Sequence, residues 1–98
     1  MEEYLKSVGN NQVLIMIGAE WCNPCNNMKP NFISMSNMEK YKSFSFYILD
    51  IDKDYEVCNE LEITKLPTFI YFKNMKEVIR DNTIKTLLDL NKFIMKLN

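Results

Sequence analysis

The apolar positions of this chain fall into two rhythms, short continuous runs and spacings of three and four. Val13-Leu14-Ile15-Met16-Ile17 is an unbroken apolar run of strand length, which predicts a central strand buried on both faces. Phe44 to Leu49 reads as a second strand, ending at Asp50-Ile51-Asp52. Thr68-Phe69-Ile70-Tyr71-Phe72, aromatic and β-branched, predicts a third, with Lys73-Asn74 turning into a short fourth at Glu77 to Arg80. Helical spacing appears between these runs. Met28, Phe32, Met35 and Met38 predict a helix from Pro24 to about Met38, kinked at Pro30. Asp54 to Leu61 predicts a short helix with Val57 and Leu61 inward and Asp54 favouring its start. Ile84, Leu87, Leu88, Phe93, Ile94 and Leu97 form the apolar stripe of a last helix, with Thr83 as its expected cap. Met1 to Val8 reads as a first helix closed by Gly9-Asn10-Asn11.

The order is therefore α-β-α-β-α-β-β-α. A strand–helix–strand start implies a parallel pair joined by a right-handed crossover, and the close spacing at the end implies a hairpin. These rules give an α/β fold, a three-layer α/β/α sandwich around a mixed sheet of about four strands. No repeat, low-complexity tract or linker divides the chain, so residues 1–98 are expected to form a single domain.

Composition narrows the function. With 12 basic and 13 acidic residues the net charge is −1, which gives no electrostatic reason to expect nucleic acid or an anionic membrane as a partner. No apolar stretch approaches the roughly 20 residues needed to cross a bilayer. The start, Met1-Glu2-Glu3-Tyr4-Leu5-Lys6, lacks the basic and apolar segments of a secretory signal, so a cytoplasmic, reducing location is expected. Three cysteines, Cys22, Cys25 and Cys58, are too few and odd in number for a disulfide-stapled scaffold.

Trp21-Cys22-Asn23-Pro24-Cys25 falls where the buried strand meets a helix. A nucleophilic cysteine must be a thiolate, and free Cys has a pKa of about 8.5. Unpaired N–H groups and the positive dipole end at a helix start stabilise that anion. A second cysteine one turn later can attack a mixed disulfide made by the first. Other readings compete. A structural disulfide closing so short a loop would gain only about 2 kcal/mol. A zinc site lacks ligands, since the chain has no histidine and Cys58 is the one further thiol. Chance buried thiols fit poorly with the adjoining Trp and Pro. The redox pair is favoured, with no metal and no cofactor.

At these residues the chain resembles the thioredoxin family over almost its whole length. The resemblance rests on Ala19-Glu20-Trp21-Cys22-Asn23-Pro24-Cys25, Pro30, Leu49-Asp50-Ile51-Asp52, Ile63-Thr64-Lys65-Leu66-Pro67-Thr68-Phe69 and Phe72-Lys73-Asn74. It implies a thioredoxin-like fold and a thiol–disulfide oxidoreductase that reduces protein disulfides. Cys22 would be the exposed attacking thiolate and Cys25 the buried resolving thiol. Pro67 would be a cis-proline against the pair, leaving the Leu66 backbone free to pair with an extended client. Trp21, with plain core packing as its alternative, would shield the site and line the client groove beside Asn23 and Pro24. The implied partners are protein disulfide clients and an electron donor of the thioredoxin-reductase type.

Several positions depart from the family pattern. The buried Asp usual on the strand before the site is Met16, and the Lys that accompanies it is Ile48. The base for Cys25 is then Glu20 or water, and slower resolution of the mixed disulfide is expected. Family glycines are replaced by Asn23, by Met75, and near Asp81 or Asn82, where a side chain could narrow the groove. The family's first edge strand is expected to be absent, leaving an exposed sheet edge and a monomer or weak dimer. Cys58 reads as ordinarily buried, with a regulatory disulfide as the alternative. A disulfide oxidase or isomerase of the same fold, and a redox-inert module binding through Trp21, Leu66 and Pro67, stand as alternative functions. A glutaredoxin does not fit, for its usual Cys-Pro-Tyr-Cys and late Gly-Gly motifs are not here.

Overall fold

The computed structural model describes residues 11–97, and the helix and first-strand expectations for the N-terminal segment lie outside that range. Among the described residues four strands form one sheet: β1 (Gln12–Gly18), β2 (Ser45–Asp50), β3 (Thr68–Lys73) and β4 (Lys76–Asp81). Their order is β2-β1-β3-β4. The β1–β2 pair is parallel and the β1–β3 and β3–β4 pairs antiparallel, so the sheet is mixed as expected. The helices are α1 (Asn23–Ser36), α2 (Tyr55–Glu60) and α3 (Leu87–Met95). A 3₁₀ turn covers Glu39–Tyr41.

β1 is apolar throughout because it sits in the middle of the sheet with a layer on each face. Leu14 and Met16 belong to the core made with α1 and α3, beside Phe32, Phe69 and Phe93. Val13, Ile15 and Ile17 belong to the opposite core, with Cys58, Leu61, Ile70 and Phe72. This alternation is the strand period of two applied to a strand buried on both sides.

Helix limits and caps differ in places from the expectations. α1 ends at Ser36, and Met38 is exposed in the loop beyond it. Pro30 lies inside α1 as expected, and the helix runs on past it to Ser36. The N–H that Pro30 lacks is one hydrogen bond, and burial of Met28, Phe32 and Met35 outweighs it. At the last helix Thr86, not Thr83, is the cap, its hydroxyl accepting from the Asp89 N–H at 3.1 Å. Thr83 instead donates to the Asp81 carboxylate. Ile84, Leu90, Phe93, Ile94 and Leu97 are buried, while Leu87 and Leu88 face out. In α2, Asp54 makes no cap bond and accepts from the Asp50 N–H at 2.9 Å.

The hairpin turn lies at Asn74 and Met75, with φ of 52° and 69°. Two successive positive φ values match the backbone twist of a two-residue hairpin, where glycine is the unstrained choice for the second position. The absent glycine at Met75 thus stands where the backbone asks for one.

The candidate dithiol site

The site hangs from the end of β1. Gly18 ends the strand, the chain turns through Ala19-Glu20-Trp21, and Cys22 N–H bonds back to Ala19 O at 3.1 Å. Cys22 is the N-cap of α1, with extended φ and ψ of −94° and 105°. Its sulfur accepts the Cys25 N–H at 3.3 Å, and its carbonyl accepts the Asn26 N–H at 3.0 Å. The local sequence explains the geometry. Pro24 fits the first turn, where its missing N–H removes no helix bond. No acidic side chain sits in that turn to oppose an anion on sulfur. Asn26 braces the approach, donating from Nδ2 to Glu20 O at 3.0 Å.

Cys22 and Cys25 are joined as a disulfide, with Cα atoms 5.3 Å apart. Cys25 is buried as expected, at 3% exposed, but Cys22 is also covered, at 6%. The expectation of an exposed Cys22 is corrected by its N-cap role. Its side chain folds over the first turn toward the Cys25 N–H and sulfur. Exposure passes instead to Asn23, Pro24 and Trp21. Trp21 is 68% exposed, so it is not a core residue, and its Nε1 donates to Asp52 Oδ2 at 2.8 Å.

Gly18 is required by close approach. A Cβ there would stand 3.0 Å from Cys25 Cβ and 3.2 Å from its sulfur. Across β1, Ile17 pairs with Thr68, so one further step of the register brings Pro67 level with Gly18. The Leu66–Pro67 bond is cis. Pro67 is buried and Leu66 half-buried, and both lie at the sheet end that carries the cysteines.

Behind Cys25 lies a cavity of about 390 Å³. Met16 and Ile48, which stand where the resemblance led us to expect an Asp and a Lys, line it together with Asp50, Lys53 and Asp54. Glu20, at its rim, is paired with Lys53 at 2.9 Å. That carboxylate bond and the neighbouring Asp50 and Asp54 charges raise the Lys53 pKa. Among the described residues no cluster of three or more His, Cys, Asp and Glu could hold a metal ion. The Trp21–Asp52 bond, the Glu20–Lys53 pair and the cavity escaped sequence reading. Asp52 stood within a matched motif, but nothing in the motif said which side chain it would bind.

The family model described as Thioredoxin matches residues 1–96. The chain belongs to the thioredoxin family. It is 39% identical over 77 residues to the thioredoxin of Sus scrofa, covering 79% of this chain and 71% of that protein. It is 37% identical over 70 residues to Thioredoxin Asp f 29 of Aspergillus fumigatus, covering 71% of this chain and 64% of that one. The crystal structure of Schistosoma mansoni thioredoxin superposes with a TM-score of 0.82 at 31% identity, over 99% of this chain and 86% of that one. The fold is thioredoxin-like, and the Cys22–Cys25 pair is the disulfide-forming centre of a thiol–disulfide oxidoreductase. Among the described residues no helix is long and apolar enough to cross a membrane.

Proposed function

We propose that the protein is a protein-disulfide reductase that works through a Cys22–Cys25 dithiol/disulfide cycle. One observation carries this reading: Cys22 caps a helix, with its sulfur receiving the Cys25 N–H and its disulfide partner one turn away. In the reduced protein the Cys22 thiolate attacks a client disulfide, forming a mixed disulfide and releasing one client thiolate. Cys25 then attacks Cys22 sulfur, closing the internal disulfide and releasing the second. Two electrons pass from the dithiol to the client. A reductase donor returns them.

The client lies as an extended segment beside Leu66 and Pro67, against the exposed faces of Trp21, Asn23 and Pro24. Protein disulfides are therefore the substrates, and one chain supplies the whole site. A reducing compartment, the cytoplasm, suits a protein working in this direction.

The test is reduction of insulin disulfides with dithiothreitol as electron source. The wild type should accelerate precipitation of the insulin B chain, and Cys22→Ser and Cys25→Ser should each abolish the effect. No acceleration by the wild type would overturn the reading. Titration against glutathione separates reductase from oxidase. A potential near −270 mV supports reduction, whereas one near −180 mV, about 4 kcal/mol away for two electrons, supports oxidation.

A further inference from the structure

The second step of this cycle needs a proton to leave Cys25, whose sulfur is buried, and Met16 and Ile48 offer it no base. We infer that Asp50 is the proton-accepting residue for Cys25, acting through water in the cavity behind it. This inference rests on the dithiol reading above.

Register places Asp50 there. In the parallel β1–β2 pair, Met16 stands opposite Ile48 and Gly18 opposite Asp50. Paired residues of neighbouring strands point to the same face, and alternate residues of one strand share that face. Met16, Gly18, Ile48 and Asp50 thus form one patch beneath α1, and all four line the cavity that Cys25 also lines. At Gly18 the missing side chain opens the way, since a Cβ would sit 3.2 Å from Cys25 sulfur. The cavity, about 390 Å³, has the room and the polar wall that water requires. Asp50 also lines the shallower depression beneath Trp21, beside Asp52. It therefore borders both the buried thiol's cavity and the outer surface.

The other charged groups facing the cavity are less suited. Glu20 is exposed and held by Lys53 at 2.9 Å. Asp54 turns toward the backbone, accepting the Asp50 N–H at 2.9 Å. Lys29 and Lys53 carry no free base when protonated. Asp50 is half-buried and anchored through Oδ1, which accepts from the Asp52 N–H at 2.8 Å and the Lys53 N–H at 3.2 Å.

In the mixed disulfide the Cys25 thiol gives its proton through water to the Asp50 carboxylate. Cys25 sulfur bonds to Cys22 sulfur, and the bond from Cys22 to the client sulfur breaks. The client leaves as a thiolate and is protonated from solvent, and Asp50 returns its proton to bulk water.

Asp50→Asn separates this role from a structural one, because the amide oxygen still accepts the two backbone N–H groups. The experiment mixes the reduced protein with excess 5,5′-dithiobis(2-nitrobenzoate) in a stopped-flow instrument from pH 5.5 to 9. Each attack releases a chromophore, so the Cys22 and Cys25 steps appear as successive phases. In Asp50→Asn the first phase should be unchanged and the second slowed about ten-fold or more at neutral pH. That second phase should rise with hydroxide concentration where the wild type levels off. Glu20→Gln and Asp54→Asn should keep the second phase within about two-fold. An unaltered second phase in Asp50→Asn, equal slowing of both phases, or a larger effect from Glu20→Gln would overturn the assignment. Loss of the two-phase release in the wild type would instead count against the dithiol cycle itself.

Discussion

Cys25 and Cys58 are near-equals in burial, at 3% and 2% exposed, and each lies on a helix packed against one face of the same sheet. Cys25 sits in the first turn of α1, one turn from a second sulfur and above a cavity with a charged wall. Cys58 sits in the middle of α2, a free thiol among Val13, Ile15, Ile17 and Leu61. Burial there, with the Asp54 and Asp50 charges, pushes its thiol pKa up. Burial does not distinguish the two. What does is the place on the helix: a start offers N–H groups and a partner, while a middle offers neither.

Activity should separate the two cysteines most. Cys25→Ser should lower insulin-reduction turnover by about 100-fold or more, whereas Cys58→Ala should stay within about two-fold. A comparable loss from Cys58→Ala would mean that the second thiol takes part. Alkylation of the reduced protein with iodoacetamide, read by mass spectrometry, should come next. Cys22 should react near neutral pH, and Cys58 about 100-fold more slowly until the chain is unfolded. The sign of the pH effect follows from the raised Cys58 pKa. Its contribution to stability is complete below the ordinary thiol value and is lost as pH rises through the higher folded value. Cys58→Ala should therefore flatten the alkaline fall in stability seen in urea melts.

Stability changes remote from both thiols sharpen the contrast. Met75→Gly should raise stability by about 1 kcal/mol, by relieving the positive φ at the hairpin, and leave both thiols' reactivity unchanged. The smallest effect belongs to Asp89. The Lys85 N–H, together with the Thr86 cap bonds, holds its carboxylate pKa below the usual range. That stabilisation is present above the unfolded carboxylate value and fades as pH falls through the folded one. Asp89→Asn should give a slightly shallower loss of melting temperature on acidification.

Much of this was legible in the sequence because strands and buried helix faces write themselves as apolar periods. The run Val13–Ile17 and the stripe Met28, Phe32, Met35 predict a strand and a helix with nearly the right limits. Thr83 misled because two threonines precede the last helix, and a local Asp81–Thr83 turn captured the first. Leu87 and Leu88 misled because they take the first two positions of the helix, clear of the face that buries Leu90, Phe93 and Ile94. The cysteine pair was legible from spacing, and its partners were not. Trp21 with Asp52 and Glu20 with Lys53 join residues 31 and 33 positions apart, contacts set by the β1–β2 register rather than by any local pattern.

Among the described strands β1 carries hydrogen bonds to neighbours on both sides, while β4 borders the sheet. Amide exchange should reflect this directly. The N–H groups of Leu14 to Ile17 should give up their protons only when the whole chain unfolds, and those on the open side of β4 through local fraying. The cysteine pair is thus tethered to the last part of the molecule to open. The strand that aims the pair should stay folded while the bond between its sulfurs breaks and reforms.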